Sequence, residues 1–325
     1  MRIAVTGSIA TDHLMTFDGK FRDSLNVDKL DQLALSFLVS SLDIKRGGTA
    51  ANIAFGMGCL GLRPILIGSV GEDFADYRAW LERHGVDCDS IRISTDHHTA
   101  RFIGTTDQVQ AQIGTFYAGA MSEGREISLK PIVERHGGLD MVLIGPHDPE
   151  GMVRHTTECR ELGIPFMSDI GQQLAFGDGD LIRALVDGAS YLVTNEYEAA
   201  LTEQKTGWSA EEVLDRVEYR ITTLGEKGLR IDKRGEETIW VESVRARRVV
   251  NPTGVGDAMR AGFLGGLSWG LSLERSAQLG CLLAVHVLET TGTQEYELER
   301  AEFLGRFGET YGAAAAADIE QHIRF

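Results

Sequence analysis

The chain is poor in several things at once, and each shortage excludes a class of protein. No run approaches the ~18 consecutive apolar residues of a membrane helix. Cysteine is scarce: Cys59, Cys88, Cys159 and Cys281 are scattered, with no CxxC and no paired spacing that would bind zinc, so they read as free, mostly core thiols. Basic charge is short as well, with 32 Lys+Arg against 48 Asp+Glu and a formal charge of −16. A chain so acidic and without a basic run is a poor partner for nucleic acid or a membrane surface. A Walker GxxxxGK[ST] is missing too. Any phosphate site must therefore rest on backbone amides, a helix dipole and a metal cation more than on a basic patch.

What remains is an ordinary globular composition, 43% apolar and 25% charged, over 325 residues. The opening residues, MRIAVTGSIATD, move directly into a strand rather than a signal peptide, so the expected location is the cytoplasm. From 139 onward strands and helices alternate: LDMVLIGP, DPEGMVRHTTECRELG, IPFMSDIG, DGDLIRALVDGA, SYLVTNEYEAA. That alternation predicts an α/β fold, doubly wound, with a mostly parallel central sheet and helices on both faces. Two stretches break the pattern. Residues 13–46, alternating around Ser36 to Ile44, and the short β-like runs at about 91–118 together predict a small sheet that covers the ligand. The expected division is a large domain of residues 1–12, 46–92 and 120–325 with a small lid of 13–45 and 93–119.

The chain is organised around VVNPTGVGDAMRAGFLGG at 249–266. Val249 and Val250 read as the end of a strand, the next residues as a glycine loop, and Asp257 onward as a helix with small residues on one face. Unpaired first-turn amides and the helix dipole make such a loop an anion site. Gly254 and Gly256 let the backbone come close to a phosphate. Asp257 would repel that phosphate. It is either an N-cap or a base beside the phosphate that takes a proton from an attacking hydroxyl.

Other candidates follow the strands. Ser8 and Asp12 lie just beyond the first strand, at the edge where open α/β sheets bind ligands. Asp169, Gln172 and Gln173 follow a later strand and are either substrate contacts or ordinary loop residues. Phe102, Phe116 and Tyr117 are either lid core or rings that stack on a flat base. Asp73 reads as the start of a helix, His286 as structural, and TTGTQEYEL after residue 289 as a loop near the anion site.

NPTGVGDAMRAGF resembles the DTxGAGD signature of the ribokinase (PfkB) family of small-molecule kinases, and GGTAANIAFGMGCLG at 47–61 resembles that family's N-terminal signature. The motifs stand about two hundred residues apart, in the family's order. The resemblance implies transfer of the γ-phosphoryl of ATP to a primary hydroxyl. Asp257 would then be the base, and the amides of Gly254, Val255 and Gly256 would stabilise the transferring group. It implies that Asp12 holds two sugar hydroxyls, that Gly47 and Gly48 let the backbone approach the substrate, and that Asn52 meets a ribose hydroxyl. Asn195 and Glu198 resemble an NxxE motif that organises Mg²⁺ and its waters, which suits a cation that keeps its water. Thr223, Gly225 and Gly228 resemble a TxGxxG segment that borders the nucleotide; without the family they read as a hairpin.

Asn251, Pro252 and Val255 depart from the usual Asp, Thr and Ala, and the lost Asp removes a charge from a loop that binds K⁺ in many relatives. TGSIATDH, RGGTAAN, DIGQQL and TGVGD together look most like the bacterial ribokinase-like adenosine kinases. Adenosine and ATP with Mg²⁺ are the expected substrates, with ribose or another sugar as the alternative acceptor. A catalytically silent nucleoside-binding protein is the alternative from another class. Members of this family often dimerise through their lids, so a homodimer is expected here.

Overall fold

The computed structural model describes residues 1–24 and 36–325, so part of the expected lid, 25–35, lies outside the described residues. The strands are β1 (Ile3–Thr6), β2 (Ala10–Thr16), β3 (Ser41–Gly47), β4 (Ile65–Gly71), β5 (Ile91–Ser94), β6 (Ala100–Thr106), β7 (Gln112–Tyr117), β8 (Met141–Ile144), β9 (Phe166–Ser168), β10 (Tyr191–Asn195), β11 (Tyr219–Thr223), β12 (Leu229–Asp232) and β13 (Ile239–Val241). They form two sheets, one of order β13-β12-β11-β10-β9-β8-β1-β4-β5 and one of order β3-β2-β6-β7. From β11 to β5 every pairing in the large sheet is parallel, and β12 and β13 add an antiparallel edge.

Helices cover both faces, and the side chains of β1 show it. Ile3 and Val5 join a core with Leu143, Met167 and Phe263, while Ala4 joins a second core with Val142, Ile144 and Phe166. With both faces covered, β1, β4 and β8 are buried along their whole length. This is why they read as unbroken apolar runs. The order reverses at β1, which pairs with β4 on one side and β8 on the other, and ligands of such sheets bind at the strand C-termini beside that reversal.

The lid sheet differs from the expected division. It takes in Ala10–Asp12 and Arg46–Gly47, whereas Ile93 and Ser94 pair with β4 as the edge of the large sheet. Asp73 is more than a helix start. Its carboxylate accepts from the Thr99 amide (2.9 Å) and hydroxyl (2.7 Å) and pairs with Arg101, fastening the entry of β6 to the body. The expected strand ending at Val249–Val250 does not form. The chain from 242 to 254 has no regular structure, and the Val250 amide donates instead to the Leu288 carbonyl (2.9 Å). Both valines are exposed, so their β-branching found no sheet neighbour to pack against.

Candidate active site

The helix Val255–Ser268 begins at Gly254, whose φ of 81° is left-handed and therefore suits glycine. Gly256 also leaves room for a neighbouring side chain. It lies within the helix, and a Cβ there would come within 2.9 Å of the Arg260 Nη1 one turn on. The Val255 amide leans on the Pro252 carbonyl at 3.4 Å, while the amides of Gly254, Gly256 and Asp257 have no partner among the described residues. Three free N–H groups at a helix N-terminus form an anion cradle.

Asp257 is not the cap; Gly254 holds that position, and no side chain closes it. Its carboxylate instead accepts from Asn52 Nδ2 at 2.8 Å. Burial raises its pKa, while the Asn52 hydrogen bond and the Arg260 charge pull the other way. A carboxylate so placed is a proton acceptor with a raised affinity for protons. Asn52, expected at a ribose hydroxyl, is buried in a network that orients this base. Its Oδ1 accepts from Thr293 Oγ1 and Gln294 Nε2, both at 2.9 Å. Gln294 also donates to Tyr77 Oη, which donates to the Gly47 carbonyl (2.9 Å), and Thr293 Oγ1 lies 2.9 Å from the Arg46 carbonyl. The network thus runs from the end of lid strand β3 to the base.

A cleft of about 310 Å³ opens over the cradle, lined by Thr49, Pro146, Asp169, Gly171, Gln172, Asn195, Glu198, Thr223, Gly256, Asp257 and Arg260. Pro146, Asp169, Asn195 and Thr223 all stand at or just beyond the C-terminal ends of β8, β9, β10 and β11, the edge where a doubly wound sheet binds its ligand. Asn195 and Glu198 form a capping box: Glu198 N donates to Asn195 Oδ1 (2.8 Å) and Asn195 N to Glu198 Oε2 (2.9 Å). The motif thereby fixes the helix Glu196–Thr206 and leaves one Glu198 oxygen without a protein partner among the described residues. Gln172 reaches the cleft, but Gln173 donates to the His147 carbonyl (2.7 Å) and holds a loop. Ser8 Oγ accepts from the Thr49 amide (3.0 Å), anchoring the helix Thr49–Cys59 behind Gly47 and Gly48. Gly225 and Gly228 bound the short turn between β11 and β12, next to Thr223.

The lid carries a second group of the candidate residues. Lys45, Asp12, Phe102 and Phe116 are direct partners across β3, β2, β6 and β7, so they form one row on one face. The Phe102 ring lies over Gly104 and Gly114, where a Cβ would meet it at 2.9–3.0 Å. Phe116 is 53% exposed, so neither it nor Tyr117 is lid core. Asp12 is pushed up to about 6 by burial and by the neighbouring Glu295 carboxylate, which lies in the 290–297 loop.

A profile of the pfkB family of carbohydrate kinases matches residues 13–300. The chain belongs to that family. It is 27% identical over 296 residues to a nucleoside kinase of Methanocaldococcus jannaschii, covering 90% of this chain and 92% of that one. Among solved structures, the ligand-free nucleoside kinase of Burkholderia thailandensis superposes with a TM-score of 0.85 at 36% identity, over 94% of this chain and 99% of its own. The same enzyme in complex with ADP-inosine gives a TM-score of 0.80 at 35% identity, over 95% and 96%.

The ribokinase-like architecture of these relatives is the one described above: a large mostly parallel sheet between helices and a smaller separate lid sheet. As a PfkB kinase the chain has the expected glycine loop, with Asp257 at its end. The carboxylates of Asp169, Glu198 and Asp257 give the cleft an oxygen-only donor set, and no trio of ligating side chains among the described residues could grip a metal directly. An oxygen-only donor set suits a hard divalent cation that keeps its water.

Reading the sequence missed Arg260 and Thr49, whereas the loop TTGTQEYEL does lie near the anion site as expected, with Thr293 and Gln294 as its contacts to Asn52. Arg260 donates from Nη2 to Asp169 Oδ1 at 2.7 Å, both side chains being nearly fully buried. A charged residue among the small and apolar residues of AMRAGF, one turn from the motif Gly256, was the available signal.

Proposed function

We propose that this chain is an adenosine kinase, transferring the γ-phosphoryl of ATP to the adenosine 5′-hydroxyl to give AMP and ADP. The observation that carries the reading is the pairing of two half-sites: a buried base beside free helix amides, and a lid row that sets a carboxylate next to aromatic rings. Asp12 would accept from the 2′- and 3′-hydroxyls, as one carboxylate can from a vicinal diol. Phe102, and Phe116 beside it, offer a face to a flat base.

The 5′-oxygen attacks the γ-phosphorus, the bond to the bridging β–γ oxygen breaks towards ADP, and Asp257 takes the hydroxyl proton. The free amides of Gly254, Gly256 and Asp257 meet the charge on the transferring group, whereas the Val255 amide, expected among them, leans on the Pro252 carbonyl. Asn52 keeps the Asp257 carboxylate aimed. Mg²⁺, held through water by Glu198 with Asn195 setting that helix terminus, would neutralise the ATP phosphates. Asn195, Thr223, Gly225 and Gly228 border the nucleotide, and Gly47, Gly48, Ser8 and Gln172 border the nucleoside. Asn251 Oδ1 accepts from the Thr253 amide (2.9 Å), and its uncharged amide stands where the family usually carries Asp. K⁺ dependence is therefore not part of the reading.

A second reading extends the acceptor to inosine, because a structurally similar enzyme is known in complex with ADP-inosine. The deciding experiment measures ADP formation from Mg·ATP with adenosine, inosine, ribose or no acceptor. Turnover with adenosine alone supports the first reading. Comparable turnover with inosine supports the second. Preference for ribose overturns both while keeping the chemistry.

The homodimer belongs to the same proposal. The lid face opposite Asp12 carries Leu42 and Ile44 on β3, Ile103 on β6 and Ile113 on β7, all exposed. Such a patch marks an interface. Sedimentation should give a dimer for the wild type and a monomer for Ile44→Asp with Ile103→Asp; a monomeric wild type contradicts it.

A further inference from the structure

Among the described residues, Arg260 is the sole cationic side chain lining the cleft, in a protein of net charge −16. It is held from two sides. Asp169 accepts from Nη2, and Nη1 fills the space left by the missing side chain of Gly256, against the first turn of the helix. None of its other N–H groups has a protein partner among the described residues, and Nε is both buried and unpaired. A guanidinium carries five donors in a fixed fork, so an arrangement that engages one of them is incomplete.

The placement is not one the fold needs. A cation beside a helix N-terminus opposes the helix dipole. Its desolvation is offset by the carboxylates of Asp169, Asp257 and Glu198, which keep it charged, and apolar residues of similar size would serve the fold as well. An anion entering the cradle satisfies the free amides and the free guanidinium donors together. Building on the kinase reading above, we propose that Arg260 contacts the transferring phosphoryl group and stabilises its charge, with Asp169 as the positioning residue that holds it. Gly256 then has a second purpose, since a Cβ there would stand 2.9 Å from Nη1 and shift the guanidinium.

The test compares wild type, Arg260→Gln, Arg260→Ala and the double variant Arg260→Gln with Asp169→Asn, using whichever acceptor the wild type phosphorylates. The double variant leaves no unpaired buried carboxylate, so it separates chemistry from folding. Loss of a charge-stabilising donor predicts a kcat lower by about 10²–10³-fold in both glutamine variants. The acceptor KM should stay within about threefold, because the contact matters most in the transition state. Millimolar guanidinium should restore at least about tenfold of the activity lost in Arg260→Ala, since the cavity matches the missing group. The inference is overturned if the double variant melts like wild type and keeps kcat within about threefold. It is equally overturned if Arg260→Ala is indifferent to guanidinium while kcat and KM decline together. A wild type without acceptor-dependent ADP formation removes the kinase reading as well, whereas an active wild type beside an unimpaired double variant removes this inference alone.

Discussion

The two sheets of this molecule are built to different standards. In the large sheet, β1 and β4 are buried at every position, between helices that cover both faces. In the lid sheet, β7 is exposed at every position and β3 at most of them. The base, the amide cradle and Arg260 belong to the dense half; Asp12, Phe102 and Phe116 belong to the open one. The difference suggests a division of labour: groups that must be aimed within tenths of an ångström sit in the packed body, and groups that recognise the acceptor sit on a sheet that has room to receive it. Substitutions in the lid should therefore raise KM, and substitutions in the body should lower kcat.

Within the lid, the largest break is expected at Asp12. Asp12→Ala removes an ionic acceptor for two hydroxyls, and at about 1.5–3 kcal/mol for a hydrogen bond to a charged group the adenosine KM should rise by at least ~10–100-fold, with kcat little changed. Steady-state kinetics checks it, and a matching fall in kcat would erase the division. Next is Asn52→Ala, in the body. It frees the Asp257 carboxylate and leaves the Thr293 and Gln294 donors without their acceptor. A loss of about 10–100-fold in kcat, with KM nearly constant, follows from losing the aim of the base.

Phe102→Ala should cost less. Aromatic stacking contributes about 0.5–1.5 kcal/mol beyond buried area, so adenosine KM should rise by roughly 2–12-fold. Ribose, which has no base, should show no such rise; an equal rise for ribose would mean the ring serves only to support the lid.

The smallest effect is in pH dependence, where the sign differs between activity and stability. Asp12 and Asp169 are both pushed up to about 6 by burial, with Glu295 adding to the first and Asp257 and Glu198 to the second, against Arg260. Binding of a diol needs ionised Asp12, so kcat/KM should fall as pH drops through about 6, not through the ordinary carboxylate range near ~4. A raised folded pKa acts oppositely on stability. The contribution is fully present below the unfolded value of ~4 and disappears as pH rises through about 6. Titrating the ligand-free protein from pH 7 to 5 should therefore strengthen this part of the fold while activity falls. A kcat/KM limb near pH 4 would contradict the reading of Asp12.

Much of the dense half was legible because its causes are local. Strands covered on both faces read as apolar runs, and a glycine loop before a small-residue helix names its own turn at Gly254. The long-range pairs were not legible. Asn52 meets Asp257 across 205 positions and Asp169 meets Arg260 across 91. No spacing announces such partners, and so Asn52 was assigned to the substrate and Arg260 went unnoticed. Phe102 and Asp12 were both identified, but their common row appeared only with the register of β2 on β6. Val249 and Val250 misled for the converse reason: strand propensity without a neighbouring strand makes no strand.

The most direct test of the account is Asp257→Asn, which keeps the size of the side chain and its place beside Asn52. The account predicts that kcat falls by about 10²–10⁴-fold, the contribution of a positioned general base. Adenosine affinity by calorimetry should stay near the wild-type value. An Asp257→Asn variant that turns over adenosine at close to the wild-type rate would contradict the assignment of the base, and with it the mechanism proposed for this cleft.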